Sequence, residues 1–492
     1  MSAATTEPVA VPSAACADPN ITKLGQFSVI LLGINSILGA GIFLTPGAVV
    51  KIAGPLAPVA YVVAALFAGV LAMVFATAAR YVKTNGASYA YTTAAFGQKL
   101  GIYVGVTHAV AASIAWGILS SFFVSTLLVV IFPHTGWAEG TAVISVKTLG
   151  FLICIAVLLL INTFGNRVIA WANAISTIGK VSALTLFIVG GLWIIVTEHL
   201  NNYRSSSAQD VYQPESYAPF GAVDLGQNAV TTLVLATIAA LYAFTGFESI
   251  ANAAEEMKDP ERTLPRAIPV AIATVAVAYT LAVVVGMTLG AGEIAHSQQI
   301  VKLPAAIGDD VFRTIITIGA LVSMFGINLA GSFGTPRLWT ALSDEGILPA
   351  RLSAKNRFGV PTVAFGLTAT LAIAFPLALH FDDVHLTGLA VIARFVQFVT
   401  VPIAVLALAS SRLPRFAHVR RNTLTDKVIP VLALIITVLL AVSFDYRTLL
   451  LDQGGGPNYF SIALLVVAFV IVPGGAYWHY HRGLARGSTE HA

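Results

Sequence analysis

Charge is what this chain has least of. Asp, Glu, Lys and Arg together make up 10% of its 492 residues, against 57% hydrophobic residues and a mean hydropathy of +0.84. That balance excludes an ordinary soluble globular domain. Cysteine is nearly missing too: Cys16 and Cys154 cannot build a disulfide framework, and Cys154 sits inside an apolar run, so redox and thiolate–metal chemistry have no support. The ten histidines show no metal-ligand spacing, with His479 and His481 standing near the chain end. No nucleophile motif or catalytic cluster stands out, so neither an enzyme activity nor a cofactor is expected. Residues 1–22 lack the basic and apolar regions of a cleaved signal peptide and read as a disordered cytoplasmic tail. The longest polar loops, near 198–225 and 410–427, are too short to bury a core of their own.

What the chain has instead is long apolar runs. About twelve are long enough to cross roughly 30 Å of hydrocarbon: 27–50, 55–80, 101–132, 143–163, 169–197, 229–255, 265–290, 312–342, 361–380, 386–409, 428–444 and 458–478. The expected fold class is an all-α integral membrane protein, with one membrane domain over 23–480 and a cytoplasmic C-terminal tail over 481–492. With the N-terminus inside, nineteen of the 27 Lys and Arg residues fall on the cytoplasmic side. Both termini are therefore expected in the cytoplasm. The pI near 9.0 reflects this topology, because the basic residues are scattered over short loops at one membrane face; a nucleic-acid partner is not expected. The lipid bilayer is the one evident macromolecular partner, and no obligate protein partner is indicated.

Two of the runs are built to break. In the first, Asn35-Ser-Ile-Leu-Gly-Ala-Gly-Ile-Phe-Leu-Thr-Pro46 places Gly39, Ala40 and Gly41 halfway across. An interruption at membrane depth is tolerable only where the freed N–H and C=O groups line a cavity or are buried in protein. In the sixth, Leu241-Tyr-Ala-Phe-Thr-Gly-Phe-Glu-Ser-Ile250 is interrupted by Gly246 and Glu248. Breaks five spans apart suit an inverted repeat whose discontinuous helices meet near the midplane. Glycine spacing of this kind also serves close helix packing.

If both breaks meet, their chemistry is complementary. The half-helix starting near Gly41 presents N–H groups that favour an anion, and the half-helix ending near Tyr242 presents carbonyls that favour a cation. A zwitterion with carboxylate and ammonium on neighbouring atoms fits both, and an α-amino acid is the obvious case. A dinucleotide loop is the rival reading of Gly39-Ala40-Gly41, but the third glycine is replaced by Leu44 and no βαβ context exists.

Three charged residues fall at depth. Lys180 lies about 11 residues into the fifth span, roughly 16 Å deep at 1.5 Å per residue. A lysine there is costly to insert and is a candidate proton carrier, or else a scaffold group bonded to backbone carbonyls. Glu248 follows the second break, where it either caps the inner half-helix or takes part in proton coupling. Arg394, about a third of the way into the tenth span, must face protein or water; pairing with Glu248, sensing a substrate carboxylate and a purely structural ion pair are all open to it. Ser113, Trp116, Phe244, Phe325, Asn328 and Ser332 are further candidates for pocket walls.

Three stretches carry a resemblance that spans nearly the whole chain: Gly39-Ala-Gly-Ile-Phe43; Phe244-Thr-Gly-Phe-Glu248 with Ala254-Glu-Glu-Met-Lys-Asp-Pro260; and Arg337 to Pro349, ending Asp-Glu-Gly-Ile-Leu-Pro. The chain resembles the amino acid–polyamine–organocation transporter superfamily, and within it the bacterial amino acid permeases. The resemblance implies a LeuT-like fold of five plus five inverted helices with two more behind, working by alternating access in the cytoplasmic membrane of a bacterium. It implies that the N–H groups of Ala40, Gly41 and Ile42, next to Gly39, hold the substrate carboxylate. The carbonyls of Ile37, Tyr242 and Thr245 would hold its ammonium, with Tyr242 as an outer gate and Phe244 beside it. Lys180 matches a fifth-helix lysine that replaces sodium in related symporters, which points to the proton as coupling ion in a symporter. Exchangers in the family carry the same lysine, and a non-transporting amino acid sensor is a third, lower-ranked possibility. Ala40 lacks a hydroxyl found in some relatives, and Arg394 is not a general family residue. A small or medium neutral amino acid is the default substrate.

Overall fold

The computed structural model describes residues 25–38, 41–82, 87–132, 135–139, 144–163, 166–203, 228–247, 257–297, 310–356, 360–381, 383–411, 416, 419–444, 446–451 and 456–489. Gly39, Ala40 and Glu248 lie outside them. Within these residues the architecture is helical. The first expected span is three pieces, α1 (Gln26–Ile37), α2 (Gly41–Leu44) and α3 (Pro46–Ala53). The long helices α4 (Ala57–Tyr81), α6 (Gln98–Ile131), α7 (Val146–Thr163) and α8 (Asn166–Thr197) follow, with a short α5 (Ala87–Phe96) before α6. The sixth span contains α9 (Ala229–Leu241). Then come α10 (Pro260–Ser297), α11 (Asp310–Asp344), α12 (Thr362–Ala378), α13 (Asp383–Ser410) and α14 (Ile429–Ser443). The end of the described chain holds α15 (Arg447–Leu450), α16 (Tyr459–Val466) and α17 (Val472–Thr489), so residues 481–489 continue a helix.

Among the described residues, nine helical stretches are long and apolar enough to cross a bilayer. Three shorter apolar stretches, Gln26–Ile37, Ala229–Phe244 and Thr362–Ala378, coincide with the first, sixth and ninth expected runs. The first gives way at Leu38, and the second ends just ahead of Gly246.

The side-chain distribution is that of a lipid-facing protein. On α4 a row of small residues, Ala57, Ala60, Ala64, Ala68, Ala72 and Ala76, is buried beside Tyr61, Leu71 and Phe75, while Val59, Val62 and Leu66 point outward and Leu66 is 64% exposed. Against hydrocarbon there is no gain in hiding leucine, and helices associate by letting small residues bring their backbones close. α6 runs through the middle of the bundle, packed against α5, α7, α11, α12, α13 and α17, while α4 packs on α9, α10, α13 and α14. α1 lies along α10, and α8 lies against α10 and α11. This arrangement surrounds both breaks with helices.

Candidate functional site

The first break begins where Leu38 turns out of the helix with ψ 83° while its N–H still donates to Ile34 O at 2.8 Å. The chain re-enters helical geometry at Gly41. Thr45 fastens the far side of α2: its N–H and hydroxyl donate to Gly41 O at 2.8 and 2.9 Å, and the hydroxyl lies 2.6 Å from Tyr61 Oη on α4. Pro46, lacking an N–H, starts α3 at no hydrogen-bonding cost.

The second break is prepared from its start. Asn228 caps α9, accepting from the N–H groups of Val230 and Thr231 at 3.0 Å, and Thr231 Oγ1 accepts the Asn228 N–H in return. The helix ends in a tight turn over Tyr242–Phe244, Thr245 is extended, and Gly246 takes φ +108°. Only glycine adopts that backbone without strain.

The two breaks touch each other twice. A Cβ on Gly41 would stand 2.6 Å from Ala243 Cα, and a Cβ on Gly246 would run into the carbonyl oxygen of Ser36. Both glycines are thus required for backbone-to-backbone approach.

The last carbonyls of α1, which have no partner within their own helix, are taken by two other helices. Lys180 on α8 is 3% exposed and its Nζ donates to Asn35 O at 2.7 Å. Thr177, one turn earlier, donates to Asn35 Oδ1 at 2.9 Å. Tyr279 on α10 donates to Ile37 O at 3.0 Å. Lys180 therefore reaches the broken helix two residues before its end. Ile37 O, expected to meet an ammonium, has one of its two acceptor positions occupied by Tyr279. The Tyr242 carbonyl accepts from Thr245 N at 3.3 Å and Thr245 Oγ1 at 2.8 Å, so the turn itself uses it.

Ile42 is buried at 1% exposure beside Gly41. Phe244 is fully buried between Tyr61 and Tyr279, at ring-centroid distances of 6.4 and 5.3 Å. Tyr242 is half-buried, and the Arg394 guanidinium carbon lies 5.9 Å from its ring centroid. Arg394 and the sixth-span break are brought together.

The other pocket candidates serve contacts between helices. Ser113 Oγ donates to Ala109 O at 2.8 Å and accepts Trp339 Nε1 at 3.3 Å. Trp116 is buried against Gly331. Asn328 accepts Ser120 Oγ at 2.7 Å and donates to Leu119 O, tying α11 to α6. Ser332 accepts Asn162 Nδ2 at 2.8 Å, tying α11 to α7. Phe325 packs on Phe123 at 5.9 Å. The residues that sequence reasoning passed over are Asn35, Thr177, Tyr61 and Tyr279. Asn35 and Thr177 are polar groups in or beside an apolar span, a signal that could have found them, whereas the two tyrosines read as packing.

With this geometry in view, comparison with known proteins is informative. The pattern of the family described as amino acid permease matches residues 24–473. An uncharacterized transporter of Mycobacterium tuberculosis is 63% identical over 466 residues, covering 95% of this chain and 96% of that protein. The branched-chain amino acid permease of Bacillus subtilis is 28% identical over 412 residues, covering 80% and 82%. The methylthioribose transporter of the same organism is 25% identical over 401 residues, covering 78% and 80%.

Proposed function

The chain belongs to the amino acid permease family, and from that premise we propose that it takes up amino acids across the cytoplasmic membrane of a bacterium by proton-coupled symport. As a member of this family it is a multi-pass membrane transporter of a small molecule rather than an enzyme. The proposal adds twelve spans in a five-plus-five inverted arrangement, both termini in the cytoplasm, and alternating access around the two breaks.

The observation that carries the reading is the bond from Lys180 Nζ to Asn35 O, just ahead of a break that touches the opposite break. A protonated amine gives that carbonyl a charge-assisted bond, roughly twice as strong as a neutral one. Losing the proton weakens the tie and frees α1 to tilt against α8. The substrate carboxylate is received by the N–H groups of Ala40, Gly41 and Ile42. Its ammonium is received on the open side of Ile37 O and at Thr245 O. Tyr242 closes the outer side. Glu248 is the second proton-bearing group. Substrate and proton thus act on one helix from two sides, which is what couples them.

The test is uptake of a labelled amino acid mixture into proteoliposomes, with and without an inward proton gradient and with an empty lumen. Accumulation driven by the gradient is expected. The Lys180→Ala variant should lose gradient-driven accumulation by about tenfold or more while eluting as the same monodisperse species. Unchanged accumulation in that variant removes Lys180 from the mechanism. Flux that needs a loaded lumen identifies an exchanger, and binding without flux identifies a sensor.

A further inference from the structure

The mechanism above leaves Arg394 unused, a half-buried cation with one enclosed donor. Arg394 lies on α13, at a depth where a guanidinium must face protein or water. Its Nη1 is shut off from solvent and has no hydrogen-bond partner. Among the described residues the ion pairs are Arg80–Asp426 and Arg262–Asp259, so no carboxylate pairs with Arg394 there. What it does face is the ring of Tyr242, 5.9 Å away, at the turn where the sixth span breaks. A weak cation–π contact recovers only part of what desolvating a guanidinium costs. Among the described residues, with Glu248 outside them, Arg394 Nη1 is short of one acceptor.

The N–H groups of the first break already account for one carboxylate of an amino acid. An acceptor for Arg394 then has to come from the substrate's side chain. A guanidinium is a planar fork that matches a carboxylate with two parallel bonds. The same positive charge beside the site repels an ammonium or guanidinium side chain, and it gains nothing from an aliphatic one. We propose that Arg394 binds the side-chain carboxylate of the substrate, so that this transporter prefers acidic amino acids over neutral ones and rejects cationic ones. This rests on the transport reading above and replaces the neutral default substrate. Arg394 is a specificity residue: it is idle until a dicarboxylic amino acid arrives, and the bond it then makes draws α13 toward the turn at Tyr242.

Counterflow into proteoliposomes tests this without depending on the coupling ion. Vesicles are loaded with unlabelled glutamate, aspartate, glutamine, leucine or lysine, and uptake of the same labelled amino acid is followed. In the native protein, glutamate or aspartate should exchange about tenfold or more better than glutamine, with lysine inactive, because a site built for a charged partner rejects analogues lacking it. Arg394→Gln should bring the glutamate-to-glutamine ratio close to one by losing glutamate exchange while keeping glutamine exchange. Glutamate should raise the melting temperature of the purified native protein and not of Arg394→Gln, which reads binding apart from flux. Retained glutamine exchange shows that the variant folds. Equal loss for every amino acid, or collapse of the variant, makes Arg394 a structural group and overturns the proposal. So does a native protein that exchanges leucine or lysine without competition from glutamate. A native protein that neither binds nor exchanges any amino acid overturns the transport reading itself.

Discussion

Gly246 illustrates how tightly single residues are specified at the break. Its φ of +108° and the Ser36 carbonyl oxygen lying where a Cβ would go exclude any side chain. Gly246→Ala should cost about 1–3 kcal/mol, the usual range for a backbone held in such a region. A lowered melting temperature of the detergent-purified protein would report it, and an unchanged melting curve would mean that the turn relaxes freely. Gly41 and Gly246 were legible in the sequence because they interrupt otherwise continuous apolar runs, while Gly39 and Ala40 lie outside the described residues. Tyr279 was not, since a tyrosine in such a run reads as packing and its partner, the Ile37 carbonyl, carries no side-chain signature. Lys180 was legible as a depth anomaly, but its attachment to Asn35 O needed coordinates.

Among the elements, the end of α11 shows why one recognisable stretch has the letters it has. Gly346 takes φ +71° and its N–H bonds to Ser343 O at 2.9 Å, while the Ile347 N–H reaches back to Leu342 O at 3.0 Å. These are the two bonds of a Schellman cap, completed by a buried apolar residue in Ile347. The Ile347 carbonyl meets His479 Nδ1 on α17 at 3.1 Å, so the cap also seats the C-terminal helix. Glu345 lies on the exposed side of this corner: partial desolvation first, and then the neighbouring Asp344 carboxylate, hold its carboxyl above the usual carboxylate range. The folded state therefore binds this proton more readily than the unfolded chain, and stability falls as pH rises from the unfolded value through the folded one. Glu345→Gln should raise the melting temperature at about pH 7 and lose that advantage at about pH 4, where the native carboxyl is also neutral. An advantage that persists in acid would point to another cause. The short α5 was missed as an element: ten residues, mostly alanine, threonine and tyrosine, give no run long enough to cross and no sharp apolar stripe.

For the whole molecule, the distribution of apolar residues defined the helical bundle, and the structure added how its cytoplasm-expected ends are tied. Arg80 at the end of α4 pairs with the buried Asp426 at 3.4 Å, donates to Thr425 Oγ1 at 3.2 Å and also bonds Arg420 O. Asp426 in turn accepts the Asn422 N–H at 2.8 Å. Removing Arg80 strands a carboxylate, and Arg80→Met should cost about 3 kcal/mol, the lower end for one partner of a buried pair. Adding Asp426→Asn should recover part of it, which a double-mutant cycle on melting would measure; additive losses would mean the two groups are uncoupled. No pattern in the sequence announced this pair, because 346 positions separate its members.

The contact between Gly41 and Ala243 has a consequence for descent as well as for mechanism. A side chain on Gly41 would strike the Ala243 backbone itself, so trimming Ala243 makes no room for it. No second change at the facing position can compensate, and a lineage that keeps this contact keeps Gly41 unaltered.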